Sequence, residues 1–353
     1  MSYAENFKRF SVSAGWLHVM PQGNGNAFNI NTAVAKGTRA KVGDISPQAF
    51  IAAIDPQAKT PDGDPMKPAL TSLLATPLVV DTLKKEGLID QNNNLTAQGT
   101  GSATVNGIDA WTERGTGLEA KKFDTLGLML SYYVNDHVSL QLIGGIPPKV
   151  DIKGQGVIIA PMTGRAYPSN DLLTASTGES VALKKDIPIT NLGNKPTLST
   201  ARAWTPAIEV QYQFGKTGVN KFRPYIGAGI MYAHFNQIKL NGQTQNDLIA
   251  AGHMVKNILD GKSGAALDGK KSSANPQVRV DAKDDFAPIV TLGFSYDFNE
   301  NWYGVASVSY AKLSNQVKID VLDSKNANQA LIRSTTKIEI DPIITYLGVG
   351  YRF

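Results

Sequence analysis

Eight segments of this chain place a large apolar residue at every second position and a small or polar one between, a period that demands two-faced β-strands and excludes helices. The first covers residues 7–20, with Val12, Ala14, Trp16 and Met20 on one side and Ser11, Ser13 and Gly15 on the other. The second, 123–134, sets Leu126, Leu128, Leu130 and Tyr132 against Thr125, Gly127, Met129 and Ser131. The same alternation runs through residues 138–150, 204–214, onward from Phe222, 286–298, onward from Trp302, and 337–353.

The connections alternate as well. Asn135-Asp136-His137, the stretch Gly215 to Lys221, and Asn299-Glu300-Asn301 are short and rich in turn formers. The other four, 21–122, 151–203, 240–285 and 320–336, are long. An even strand count with tight turns at one end and long loops at the other defines an all-β architecture: a transmembrane antiparallel up-and-down barrel of eight strands, one domain over residues 1–353, both termini on the short-turn side. No run of 18 apolar residues exists, so a spanning helix is excluded.

Which face looks outward decides between membrane and solution. A soluble barrel points its apolar residues into the lumen, and a β-sandwich is the other soluble alternative. Here the non-bulky face is crowded with Gly, Ser, Thr and Gln, which suits the narrow interior of an eight-stranded barrel. The apolar face carries aromatic residues near the strand ends, among them Trp16, Trp204, Phe214, Phe222, Tyr232, Phe286, Phe298, Trp302 and Tyr310, the pattern of two interfacial girdles. The chain opens Met1-Ser2-Tyr3-Ala4-Glu5 without a basic or apolar leader, so the expectation is a processed mature protein of the bacterial outer membrane. Its net charge of +5 is spread along the chain rather than gathered in a stripe, which gives no support to a nucleic-acid partner.

The carboxyl end, Ile343-Ile344-Thr345-Tyr346-Leu347-Gly348-Val349-Gly350-Tyr351-Arg352-Phe353, resembles the terminal strand of outer-membrane barrels. More specifically, Phe222-Arg223-Pro224-Tyr225-Ile226-Gly227-Ala228-Gly229-Ile230-Met231-Tyr232 resembles the FRPYxGAGxxY segment of the OmpW family. Thr205-Pro206 through Tyr212-Gln213-Phe214-Gly215, Asp341-Pro342, Leu126-Gly127-Leu128 and Asn135-Asp136 are also similar to that family. The resemblance covers the strands and little of the loops. It implies a narrow, mainly apolar channel that takes up small hydrophobic molecules, with release sideways into the outer leaflet. Outer-membrane lipid and lipopolysaccharide are the implied surroundings, and the oligomeric state is not legible. A sealed barrel displaying its loops for adhesion, receptor binding or assembly is the alternative.

Members of that family are shorter, and the excess here lies in the loops. Residues 47–54, 66–74, 78–89 and 245–259 have helical spacing, which predicts short helices over the outer mouth. Pro, Gly and Asn interrupt them, so flexible loops are the other possibility.

Strand parity turns Arg9, Glu209, Arg223, Asp297 and Arg352 into the lumen near the short-turn end. Unpaired ions there are costly, so a paired arginine–carboxylate plug is expected. Met129, Gln141, Ile143, Met231, Ile289, Val305 and Ser309 are the candidate channel lining above it, although the same side chains would simply fill a small barrel. Pro148, Pro206 and Pro288 lack a ladder donor and are candidates for a lateral exit. His18, His137, His234 and His253 share no ligand spacing, and no nucleophile or phosphate-binding motif occurs, so neither metal, cofactor nor catalytic group is expected.

Overall fold

Hydrocarbon offers no partner to backbone N–H and C=O groups, so a β-structure spans it only as a closed ring. The computed structural model describes residues 8–353 and contains such a ring. Its strands are β1 (Phe10–Met20), β2 (Phe123–Tyr133), β3 (Val138–Gly145), β4 (Ala207–Gln213), β5 (Phe222–Leu240), β6 (Asp285–Asp297), β7 (Trp302–Ala311) and β8 (Ile343–Arg352). Each pairs antiparallel with its chain neighbour, and β1 closes on β8 in a register running from Ser11↔Arg352 to Met20↔Ile343. The first expected segment begins at Phe7, outside the described residues.

The two faces follow the alternation. Leu126, Leu128, Leu130, Leu142, Val210, Val290 and Leu292 are exposed, while Ser11, Ser13, Ser131, Gln141, Gln211 and Thr291 are buried inside. Aromatic rings pair at both ends of the outer face: Phe222 with Phe294 and Trp302 with Tyr351 toward the tight turns, Tyr232 with Phe286 toward the loops, each at 5.1 Å between centroids. This is a wall dressed for lipid, with rings at both interfaces.

Two expected strands prove to be two elements each. Residues 138–150 break at Pro147-Pro148, and Lys149–Gln155 forms a separate strand beside Ser199–Trp204. Residues 337–353 break at Asp341-Pro342: Asp341 takes a left-handed φ of 39° and Pro342 cannot donate to a ladder. Gln329–Glu339 therefore belongs to another sheet.

The long connections fold together into a cap. The expected helices form at Pro47–Ala53, Met66–Ala75, Pro77–Lys85 and Gly242–Leu259, two of them capped at their N-termini by the side chains of Ser46 and Asn241. Strands, however, carry most of the cap, and these the sequence reading missed. Val181–Asn191, Val157–Tyr167, Ser102–Asn106 and Thr38–Lys41 form one sheet. Pro276–Ala282, Ser314–Asp323, Gln329–Glu339, Phe28–Thr32 and Ala110–Glu113 form a second, so residues 320–336 are a hairpin rather than an open loop. The outer half of β5 also rises above the ring, where it pairs with Ser199–Trp204 and, through it, with Lys149–Gln155 and Gly117–Ala120. One apolar cluster runs from Ile45, Ile54, Leu88, Val181 and Val255 in the cap down to Met231 and Ile289 in the barrel.

Candidate functional site: an apolar cavity above a polar plug

The tight-turn half of the lumen is filled. Arg352 Nη1 lies 2.7 Å from Asp297 Oδ1, with both side chains buried, and its guanidinium carbon sits 4.3 Å over the centroid of the Tyr303 ring. Higher up, Glu209 Oε1 accepts from the Thr291 hydroxyl at 2.7 Å and Oε2 from Gln211 Nε2 at 3.3 Å. Gln211 also donates to Gln141 at 2.6 Å, and Gln141 to Ser131 at 3.2 Å. These bonds answer the desolvation that a confined lumen imposes on polar groups.

Three tyrosines complete the plug. Tyr225, Tyr303 and Tyr346 cluster with Met129 and Val305, and the Tyr303 and Tyr346 hydroxyls reach Ser11 at 3.0 Å and Ser13 at 3.1 Å. Their rings lie over inward glycines: a Cβ at Gly350 would stand 2.1 Å from Tyr303 Cζ, and one at Gly293 2.5 Å from Tyr225 Cζ. Glycine is needed there for space, since a ring and a Cβ cannot share the position. The inward parity of Tyr225 and Tyr346 was visible in the sequence; their role as filling beside glycine was not drawn from it.

Of the expected arginine–carboxylate network, the Arg352–Asp297 pair is formed. Arg223 is buried, but its guanidinium donates to the carbonyls of Asp136, Gly215 and Phe214 and to the Thr217 hydroxyl (2.7 Å), so it staples two tight turns. Arg9 is exposed at the rim, with Nη1 3.4 Å from the Tyr132 hydroxyl. It precedes the first strand residue, so strand parity does not govern it.

Above the plug the lumen opens into a cavity of about 410 Å³ that continues beneath the cap. Of the candidate lining residues, Met129, Ile143, Met231, Ile289 and Ser309 border it, and Gln141 and Val305 lie below, in the plug. Parity places a side chain inside but says nothing of its height. The upper wall comes from residues the sequence reading left in loops or outside the lining set, including Leu118, Ile152, Leu198, Phe235, Val317 and Ile340.

The wall of this cavity is interrupted on one side. The β3–β4 ladder ends at Ile143↔Ala207 and resumes only at Lys149↔Arg202, outside the ring. Between them Gly144–Pro148 faces Ala203–Pro206, crossed by a bond from Ala203 N to Pro148 O of 3.0 Å. Gly144, Gly145, Pro147, Thr205 and Pro206 all border the cavity, and a Cβ added at Gly144 would meet nothing within 4 Å. Pro148 and Pro206 flank the break because neither has an N–H to give. Pro288 does not mark one: it holds its place opposite Ile230, its neighbours are paired on both sides, and its carbonyl accepts from Lys312 N at 3.1 Å.

The histidines stay apart. His18 Nδ1 and His234 Nδ1 lie 2.7 Å from Asp124 and Asp284 at the outer rim. His137 Nδ1 faces the Gln213 carbonyl and His253 Nδ1 faces Ser272. Among the described residues no group of three or more His, Cys, Asp or Glu side chains is placed to hold a metal ion.

A closed ring of eight antiparallel strands, apolar toward lipid, girdled by aromatic rings and polar inside, defines an integral β-barrel of the outer membrane. Residues 94–257 and 263–353 match the OmpW family, and the chain belongs to it. It is 24% identical over 229 residues to outer membrane protein W of Vibrio cholerae serotype O1, a match covering 65% of this chain and 73% of the relative. It is 19% identical over 237 residues to outer membrane protein W of Salmonella typhi, covering 67% and 76%. Among solved structures, the outer membrane protein OprG from Pseudomonas aeruginosa aligns over 98% of this chain and 96% of its own length, with 15% identity and a TM-score of 0.49.

Proposed function

We propose that this protein is a passive conduit for small hydrophobic molecules, which occupy the cavity beneath the cap and leave sideways through the β3–β4 break into the membrane. The observation that carries this reading is the conjunction of three features: an apolar cavity, a plug beneath it and a gap in the wall beside it. An apolar solute gains about 25 cal/mol per Å² on leaving water for such a lining. It has no reason to cross a floor of bonded polar groups, whereas the lateral path leads into hydrocarbon. Neither a cofactor nor a covalent step is needed.

Lipid is the proposed partner on the outside. Lys149 and Arg202 are exposed and face one another across two strands, next to the outer-rim Trp204. Like charges so placed repel unless an anion lies between them, and the phosphates of anionic lipid or lipopolysaccharide supply one.

The test is uptake of a hydrophobic dye into vesicles carrying lipopolysaccharide in the outer leaflet. G144C, labelled with a bulky maleimide, is expected to slow protein-dependent uptake about tenfold, as displacement from a matched path costs on the order of 1.4 kcal/mol. The same label on L292C, on the lipid face away from the break, should leave it unchanged. Equal rates for labelled and unlabelled G144C would reject the lateral path. The ordered cap favours a second reading, a sealed display barrel; it gains ground if the unmodified protein fails to speed any probe over empty vesicles.

A further inference from the structure

Two polar side chains stand out in the apolar wall of the cavity. Asn315 and Ser199 are 3% and 6% exposed, and both border the cavity. Asn315 opens the inward row Asn315, Val317, Ile319 of the strand Ser314–Asp323, and Ser199 opens the inward row Ser199, Ala201, Ala203 of the strand Ser199–Trp204. Their direct cross-strand neighbours, Ile338 for Asn315 and Ile152 and Leu240 for Ser199, are apolar lining residues.

Each has a hydrogen-bonding atom with no protein partner. The Asn315 amide nitrogen donates to the Lys283 carbonyl, which fixes the orientation of the amide and leaves Oδ1 without a donor. Ser199 Oγ has no partner either. Buried polar atoms are nearly always satisfied, and leaving one unmade is costly, so an unmet atom facing a cavity marks where a ligand atom belongs. A wall selected for greasiness alone would carry at these places the Val or Ala that follows two residues later in each row.

We propose that these two residues are polar footholds at two levels of the cavity, Asn315 near the barrel rim beside Lys283 and Ser199 higher in the cap opposite Leu240, which select small amphiphiles with a hydroxyl head and an apolar tail over plain hydrocarbons of equal size. This rests on the conduit reading above. Asn315 Oδ1 only accepts, so the head must donate: an alcohol or a phenol qualifies, an ester does not, and a carboxylate would bring an uncompensated charge. At its own level the Ser199 hydroxyl donates to the oxygen of such a head or accepts from it, so the two residues offer successive stops along the path. A hydrocarbon fills the same volume and leaves both atoms unmet, the situation in which a site built for a hydroxyl discriminates most strongly.

The full chain, reconstituted in vesicles with lipopolysaccharide in the outer leaflet, is tested with 1-octanol and n-octane, each rate taken relative to empty vesicles. The unmodified protein should accelerate the alcohol about fivefold more than the alkane, the ratio that one net hydrogen bond supports. N315L should bring the ratio to one, with alkane transport kept or improved. S199A removes a hydroxyl that has no hydrogen-bond partner in the protein, should lower the ratio part of the way, and keeps the test valid if N315L does not refold. Equal acceleration of both probes by the unmodified protein, or a ratio untouched by either substitution, overturns the footholds and leaves the conduit standing. Acceleration of neither probe overturns the conduit itself.

Discussion

The two halves of the barrel interior are built on one alternation and end up as opposites. Toward the tight turns, inward positions hold Ser, Gln, Glu, Arg and Tyr, and each finds a partner within reach across the narrow lumen or along its strand: Thr291 two strands away and Gln211 on the same strand for Glu209, Asp297 two strands away for Arg352, and Gly350 directly opposite Tyr303. Toward the cap, Met231, Ile289 and Ile143 face no polar partners and no glycine-backed ring, and space remains between them. Whether a narrow barrel is blocked or hollow at a given height thus depends on cross-strand complementarity there, and strand count alone does not settle it.

The sharpest way to break this contrast is to place one substitution in each half. G350V drives two methyls into the Tyr303 ring and through it disturbs the Arg352–Asp297 pair. It should cost about 3 kcal/mol or prevent folding, as overpacking at its severe end does. I143F, whose side chain borders the cavity in the upper half, should cost about 1 kcal/mol, the low end of the overpacking range. Urea unfolding in lipid vesicles, followed by circular dichroism, compares them; equal losses would show that the plug is no tighter than the cavity.

Next in size is the ion pair. D297N leaves Arg352 buried without its counter-charge and should cost about 3 kcal/mol, whereas D297L/R352M, which removes both charges, should recover most of that. A double mutant that is no better than D297N would mean the pair's charges are not what holds the floor. Filling the hollow half tests its function rather than its stability: M231W should lower hydrophobic dye uptake about tenfold with the barrel still folded, and unchanged uptake would place the path elsewhere.

The smallest effect lies in the cap. His253 Nδ1 accepts from the Ser272 backbone N–H at 3.1 Å, and burial, reinforced by the Lys271 charge and opposed by Asp323, holds the imidazole below the ordinary histidine range. The unfolded chain therefore binds a proton more readily than the folded one, so the stabilisation is full above pH about 6.5 and declines as pH falls through and below it. Protease cleavage within the cap should rise modestly between pH 7 and pH 5 in the parent, and H253Q should flatten that dependence. A parent profile that is already flat would remove His253 from the cap's stability.

The sequence shows the barrel because lipid imposes its demand residue by residue: Leu126, Leu128 and Leu130 must look out wherever the neighbouring strands run. Pro148, Pro206 and Pro288 are legible as residues without an N–H, a local property, but whether the pairs around each hold is set by the partner strands, and around Pro288 they do. The cap stayed hidden for the opposite reason. Phe28–Thr32 finds its place beside Gln329–Glu339, some three hundred residues away, in a register from Asn29↔Thr335 to Thr32↔Ile332. Such short strands gain stability only from that distant pairing and carry little signature of their own. The orphan atoms of Asn315 and Ser199 were invisible for the same reason, because the wall that surrounds them is assembled from four separate connections.

β5 runs 19 residues without a break, from the tight turn into the cap, with a left-handed φ of 51° at Gln237 where its pairing register shifts. A strand shared in this way works like a mast stepped through a deck. The cap has no hinge at its foot on this side and cannot swing clear as a lid while the barrel stays still. In the conduit proposed above, solutes would then slip in and out by local breathing at seams such as Gly144–Pro148, and their traffic would be paced by how often those seams part.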